Sequence, residues 1–141
     1  MMVYLASDKR LPTIPWDDNI KQSISVFEMK EPDVLVKKHL TKKYVYDIGA
    51  FEGCGCGFKF GIYQPLDEED EQNEADGRKS VEELFNYLKE HISIGDRTEL
   101  YSCWAGDEGC DLEHRTVINL REFKLGSDFQ FLQNQLVTIQ G

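Results

Sequence analysis

The sequence predicts an α+β fold, in which a largely antiparallel sheet of about five to seven strands packs one face against one main amphipathic helix at about residues 80–92. Several short segments rich in β-branched and aromatic residues alternate apolar and polar positions, which is typical of strands. One segment repeats its apolar residues at helical spacing, and strands are predicted on both sides of it. The 141 residues contain no internal repeat, so a single globular domain, residues 1–141, is the simplest interpretation.

The strands follow from alternation and from flanking glycine, proline and acidic residues. They are expected at residues 2–6, 23–29, 44–49, 58–62, 98–104 and 115–123. Between the first two, Pro12 and Pro15 favour a loop, and Trp16 is expected to pack its indole against the core. Asp33 is expected to cap a brief helix that runs to Leu40.

The segment 129–139 remains open between strand and helix. Phe129 to Phe131 alternates like a strand, whereas Phe129, Leu132 and Leu136 recur as on a helix.

The main helix is predicted from one apolar stripe and from its caps. The stripe consists of Val81, Leu84, Phe85, Leu88 and Ile92. Ser80 is expected as the N-cap, with Glu83 completing a capping box, and Gly95 lies just past the predicted end.

Charge is concentrated in one segment. The net charge is −10, and residues 67–76 hold seven carboxylates and no base, so the rest of the chain is nearly balanced at −3. This segment is expected to form an exposed acidic loop at 65–78. A negative chain is repelled by nucleic acid and by anionic membranes, which favours a basic protein partner instead. The possible partner surface comprises Asp67, Glu68, Glu69, Asp70 and Glu71.

The sequence has no apolar run near the roughly 20 residues that cross a bilayer, and its first residues lack a signal-peptide pattern. A cytoplasmic location and reduced cysteines are therefore expected. A homo-oligomer is permitted but not indicated.

Two of the four cysteines lie in the segment Gly53-Cys54-Gly55-Cys56-Gly57. Thiolate and imidazole are ligands that zinc prefers, so strand pairing that brought the remaining cysteines nearby would create a zinc site, although the spacing is atypical of structural zinc. The candidate metal ligands are Cys54, Cys56, Cys103, Cys110 and His114.

Two other interpretations of the cysteines remain open. Cys54 and Cys56 can act as a redox dithiol, but no helix N-terminus or basic residue adjoins the pair in the sequence to lower a thiol pKa. Alternatively, the cysteines are small buried hydrophobic residues of a strand or bulge.

The sequence contains no recognisable catalytic signature and no phosphate-binding glycine loop. The favoured hypothesis is a small acidic cytoplasmic protein without catalytic activity that binds or regulates a partner, as inhibitors and immunity proteins do. The alternative is a small zinc-binding or thiol-dependent protein that uses the Gly/Cys segment.

Overall fold

The computed structural model describes residues 1–59, 67–124 and 129–141. Within these ranges the chain forms one six-stranded sheet and two α-helices. The strands are β1 (Met2–Ser7), β2 (Ser25–Met29), β3 (Tyr44–Gly49), β4 (Arg97–Cys103), β5 (His114–Asn119) and β6 (Gln135–Gln140). The helices are α1 (Val34–Lys37) and α2 (Glu68–His91).

The strand order in the sheet is β2-β3-β1-β4-β6-β5. Every neighbouring pair is antiparallel except β5 and β6, which run parallel. The predicted α+β class, with a largely antiparallel sheet and one main helix, is confirmed.

Helix α2 begins twelve residues earlier than the sequence analysis predicts. Asp67 is the N-cap, and its carboxylate accepts a hydrogen bond from the Asp70 amide at 2.8 Å. Ser80 is therefore not the N-cap; it lies buried inside the helix, where its hydroxyl accepts a bond from the Phe51 amide at 3.1 Å. The predicted acidic loop is also wrong over 68–78, because those residues are helical. Residues 65 and 66 lie outside the described part of the chain.

The other local predictions have mixed outcomes. Helix α1 is short and capped by Asp33, as expected, but it ends at Lys37 and does not run to Leu40. Phe58 and Lys59 are not in a strand, and the rest of the strand predicted at 58–62 lies outside the described residues. The open segment 129–139 is resolved in favour of strand β6, which begins only at Gln135.

One face of the sheet packs against α2. Its strands contribute buried apolar side chains that meet the helix's own apolar stripe. This core includes Val3, Leu5, Val26, Tyr46, Ile48, Leu100, Val137 and Ile139 from the sheet and Val81, Leu84, Phe85, Leu88 and Ile92 from the helix and its end. We call this the helix face.

The opposite face has a smaller core and a different cover. Tyr4, Ala6, Val45, Tyr101, Cys103 and Leu136 pack there with Val36 and Leu40, which lie in and just after α1. Residues 104–113, which connect β4 to β5, contribute partly buried Leu112 to the same cluster. We call this the loop face.

Within the ranges that the structure describes, no helix combines the length and the apolar character needed to cross a membrane.

Candidate functional site

The first turns of α2 present the acidic residues that the sequence singled out. Asp67 and residues 68–71 are all exposed, and four consecutive carboxylates occupy the first turn. Carboxylates at this end of a helix interact favourably with its positive dipole, which explains why so acidic a segment is helical. The acidic side chains are therefore arranged on a helix, and they are presented to solvent.

The exposure of α2 changes abruptly at Gly77. Residues 67–73 are exposed all round the helix, whereas Gly77, Ser80 and Val81 are buried. A Cβ at Gly77 would lie 2.0 Å from the Lys59 carbonyl oxygen, so only glycine permits this approach of helix and chain. At 1.5 Å per residue, the acidic part from 68 to 76 extends over about 12 Å.

The loop at residues 16–21 is joined to the last acidic residue of this part of the helix. Lys21 Nζ is 3.4 Å from Asp76 Oδ1, a carboxylate whose side chain is only 15% exposed. The Trp16 indole packs on Gly53, where a Cβ would lie 3.4 Å from the ring. The loop is thus attached both to α2 and to the Gly/Cys segment.

The same loop exposes two large apolar side chains, one on each side of two carboxylates. Trp16 is 40% exposed and Ile20 is 59% exposed, so the expectation that the Trp16 indole packs against the core is not met. The Trp16 Nε1 donates to Asp18 Oδ1 at 2.6 Å, and Asp17 Oδ1 accepts from the Asn19 amide at 2.9 Å. We call residues 16–20 together with 67–71 the acidic surface. Sequence analysis identified its helical half only, because the loop's attachment depends on long-range contacts.

The Gly/Cys segment forms a tight turn, and its glycines are required by close packing. Gly53 has φ +85°, a conformation that favours glycine. A Cβ at Gly55 would lie 2.7 Å from the Met1 carbonyl oxygen, and one at Gly57 would lie 2.8 Å from the Ala50 Cβ. The turn is therefore wedged between the start of β1 and the residues that follow β3.

Cys54 and Cys56 lie two residues apart in this turn, and Cys54 is partly buried whereas Cys56 is exposed. The neighbouring Cys54 thiol is the largest cause that lowers the pKa of Cys56. Burial is the main cause that raises the pKa of Cys54. The Met1 amino nitrogen lies 3.2 Å from Cys56 Sγ and also favours its thiolate. The sequence analysis found no basic group beside the pair, because this contact spans 55 residues.

The other predicted metal ligands lie elsewhere. Cys103 is buried at the end of β4 opposite Met2, and burial raises its pKa to about 11. Cys110 is exposed, and its carbonyl oxygen is 2.6 Å from His39 Nε2. His114 begins β5 and is exposed. Among the described residues, no group of three or more His, Cys, Asp or Glu side chains is arranged to hold a metal ion.

A cluster of polar side chains lies on the loop face. The Tyr4 hydroxyl donates to Glu108 Oε1 at 3.0 Å, and Glu108 Oε2 accepts from the Gly106 amide at 2.9 Å. Burial raises the pKa of Tyr4 and of the neighbouring Asp47. With their pKa values raised, the Tyr4 phenol and the Cys103 thiol stay protonated near neutral pH. The bonds of Glu108 to Tyr4 and to Gly106 hold the 104–113 connection in place.

Comparison of the chain with models of protein families, with curated proteins and with solved structures finds no match. The arguments for function therefore rest on the geometry described above.

Proposed function

We propose that this protein is a non-enzymatic binding module, of the inhibitor or immunity type, that binds a basic surface of a protein partner through its acidic surface. The observation that carries the proposal is the exposed acidic start of α2 together with a loop that exposes Trp16 and Ile20 and is joined to the same helix by Lys21 and Asp76.

Charge supports a basic partner. The segment 67–76 accounts for most of the net charge of −10, and its first five residues are exposed carboxylates. A single-signed surface attracts an oppositely charged partner over distances near the Debye length, about 8 Å at physiological salt, and so accelerates association. It also disfavours partners of the same sign, which gives specificity.

The apolar residues of the loop supply binding energy that charge alone does not provide. Binding energy at protein interfaces is concentrated in a few buried anchors, among which tryptophan is enriched, and polar residues form the rim. Trp16 is held in position by its bond to Asp18 and by its contact with Gly53. In this proposal Trp16 and Ile20 are the anchors, and the carboxylates of α2 steer the partner.

The experiment compares two variants with the same change in charge. The first, Glu68→Gln with Glu69→Gln, Asp70→Asn and Glu71→Gln, neutralises the helix start and keeps the Asp67 cap. The matched control, Glu31→Gln with Glu82→Gln, Glu90→Gln and Glu122→Gln, removes four exposed carboxylates elsewhere. Partners are captured from extract of the native cell, identified, purified, and titrated against each variant at low and physiological salt.

We expect the helix variant to lose about tenfold or more in affinity at low salt, mainly in the association rate, and the control to lose little. We expect Trp16→Ala to weaken binding by a further factor of about 30 through faster dissociation, with folding checked by circular dichroism. Equal affinity of all variants for the purified partner, or a partner whose contact surface is acidic, would contradict the proposal.

A further inference from the structure

A cleft at one corner of the sheet has a charge opposite to that of the whole chain. It lies where α1 meets the end of β2 and the start of β3, and its volume is about 330 Å³. Its lining includes Arg10, Glu28, Lys30, Lys37, Lys43 and Tyr44. Four of these side chains are cationic and one is a carboxylate, so the lining carries +3 in a chain whose net charge is −10. We call this the basic cleft.

The four cations of the basic cleft come from separate segments of the chain. They are Arg10, which follows β1, Lys30, which follows β2, Lys37, which ends α1, and Lys43, which directly precedes β3. Strand β3 lies between β1 and β2 and runs antiparallel to both, so the ends of β1 and β2 lie beside its start. The topology of the sheet therefore gathers cations that are far apart in the sequence.

Two of the cations are held against the ring of Tyr44. Arg10 Cζ and Lys43 Nζ each lie 5.1 Å from the centre of this ring, and Arg10 Nε is 3.3 Å from Glu28 Oε1. Cation–π contacts attract both side chains to one aromatic ring, although the two cations repel each other. Tyr44 is partly buried and packs against the core of the helix face. The two cations are thus positioned before any ligand binds, which reduces the entropy lost on binding.

The three lysines of the basic cleft are not neutralised within the protein. In the described ranges, no carboxylate lies within ion-pair distance of Lys30, Lys37 or Lys43. Asp33 is close in sequence, but its carboxylate caps α1 and accepts from the Leu35 amide at 2.8 Å. The positive charge of the cleft is therefore available to a ligand.

A second cleft, between residues 7–9 and 95–97, shows the contrast. Its lining also includes several cations, but it includes Asp8 and Asp96 as well. Lys9 Nζ is 2.7 Å from Asp96 Oδ2, and Lys42 Nζ is 3.1 Å from Asp8 Oδ2. Those lysines are paired inside the protein, whereas the lysines of the basic cleft are not.

We propose that the basic cleft binds a small anion that carries two or more phosphate groups. Lysine ammonium groups are point charges that suit phosphate oxygens, and several of them around one cleft match a ligand with several negative charges. Ligand sites have volumes of roughly 300 to 1,000 Å³, so a cleft of about 330 Å³ takes a small ligand. A nucleic acid or an acidic protein would also have to approach the negative remainder of the chain, which repels both.

Binding of such an anion should also stabilise the fold. Four cations around one cleft repel one another when no anion lies between them. A ligand that binds only the folded chain raises the melting temperature in proportion to its concentration relative to Kd. Affinity and melting temperature therefore give two independent measurements of the same site.

The test is titration calorimetry of the full-length protein, without an affinity tag, with inorganic tripolyphosphate at fixed ionic strength and without divalent metal. The cleft variant is Lys30→Gln with Lys37→Gln and Lys43→Gln. The matched control, Lys79→Gln with Arg115→Gln and Lys124→Gln, removes three exposed cations elsewhere. Circular dichroism confirms that each variant is folded.

We expect one tripolyphosphate to bind per chain and to raise the melting temperature by about 5 to 10 °C at a hundredfold excess over Kd. The cleft variant should bind at least about tenfold more weakly, because three charge-assisted contacts are lost. The control should lose less than about twofold, since distant exposed charges are screened. Glu28→Gln removes a carboxylate from the lining and should tighten binding about threefold.

Two further ligands test the chemistry of recognition. Citrate carries three carboxylates and should bind at least about tenfold more weakly than tripolyphosphate. Adenosine triphosphate should bind about as tightly as tripolyphosphate, because in this proposal the phosphates alone are recognised and the Tyr44 ring is already in contact with Arg10 and Lys43.

Any of four results would overturn the proposal. They are equal binding by the cleft variant and the control, equal affinity for citrate and tripolyphosphate, and a preference of more than about tenfold for adenosine triphosphate. The fourth is self-association at low salt, seen by sedimentation, that both the cleft variant and the variant of the α2 start abolish, which would identify the acidic surface of a second copy as the ligand. Partner binding by the acidic surface is tested with different variants, so failure here leaves that function to its own test.

Discussion

The two faces of the sheet are buried in different ways. The helix face is covered by α2, and its core consists of aliphatic and aromatic side chains that lie against the strands. The loop face is covered by a four-residue helix and by the connection 104–113, and it contains the buried or half-buried polar groups Tyr4, Asp47 and Glu99. Cross-strand pairing places Asp47 directly opposite Tyr4, and Glu99 opposite Ala6.

This difference suggests that the helix face contributes most of the stability, whereas the loop face fixes the position of the 104–113 connection. Burial of apolar area is non-directional and contributes most of the stability of a fold, so the helix face should dominate the free energy of unfolding. Hydrogen bonds contribute less in net terms but have fixed geometry. On the loop face, hydrogen bonds hold the 104–113 connection in one place. Four substitutions test this assignment of different roles to the two faces.

Removing a side chain from the centre of the helix face should have the largest effect. Leu84 is fully buried between α2 and the sheet. Leu84→Ala should lower the free energy of unfolding by about 3 kcal/mol, through lost transfer energy and the cavity left behind. Urea denaturation measures this loss. Val117→Ala is the control, because Val117 is 64% exposed and its replacement should change stability by less than about 0.5 kcal/mol. Similar losses in both variants would contradict the assignment of the helix face as the main core.

Glu99 should be the most costly polar residue to replace on the loop face. Its carboxylate accepts from the Thr41 amide at 2.7 Å and from the Thr41 hydroxyl at 3.0 Å, and the residue is buried. Glu99→Ala should lower the free energy of unfolding by about 2 kcal/mol, because two bonds to a charged acceptor are lost. Glu99→Gln keeps one acceptor oxygen and should lose less. If glutamine and alanine destabilise equally in the same urea titration, these bonds do not account for the effect.

Tyr4→Phe should have a smaller and more local effect. The substitution removes the bond to Glu108, worth about 1 kcal/mol, and keeps the ring that stacks on Tyr101. Since Glu108 also accepts from the Gly106 amide, hydrogen exchange should accelerate over residues 104–110. Hydrogen exchange at the buried amides of β1 and β4 should accelerate only as far as the lower free energy of global unfolding requires. Uniform acceleration across the sheet would show that the bond does not act locally on this connection.

Asp47→Asn should have the smallest effect, and its sign should be opposite. Burial raises the pKa of Asp47 above that of an unfolded chain, so the ionised carboxylate destabilises the fold at neutral pH. The asparagine variant should therefore unfold less readily at pH 7. The difference should shrink as the pH falls through the folded pKa and should vanish below the unfolded value of about 4. Stability curves of both proteins against pH measure this, and a difference independent of pH would rule out ionisation as its cause.

The sequence predicted the fold where local pattern and burial agree. Alternation identified β1, β3 and β4, and the apolar stripe from Val81 identified the buried half of α2. It missed the start of that helix because the acidic half packs against no core and therefore has no apolar period. Asp67 and the carboxylates after it were the available signal, since acids are favoured in a first helical turn.

The candidate site was less predictable, because it depends on contacts between distant parts of the chain. The acidic residues of α2 and the two cysteines could be identified from the local amino-acid composition. The position of the Trp16 loop depends on Lys21 reaching Asp76, and the environment of Cys56 depends on Met1. Periodicity and spacing describe neighbours along the chain and carry no information about such pairs.

The order of the strands has a consequence for the nascent chain on the ribosome. β6, the last of the described strands in chain order, lies inside the sheet between β4 and β5. β5 has no other partner among the described strands, so it stays unpaired until residue 140 has left the exit tunnel. The first strand, β1, must likewise wait for β4, some 95 residues later, to fill its second side. Completion of the sheet therefore has to wait until β6 has emerged, and its late steps are set by non-local pairing.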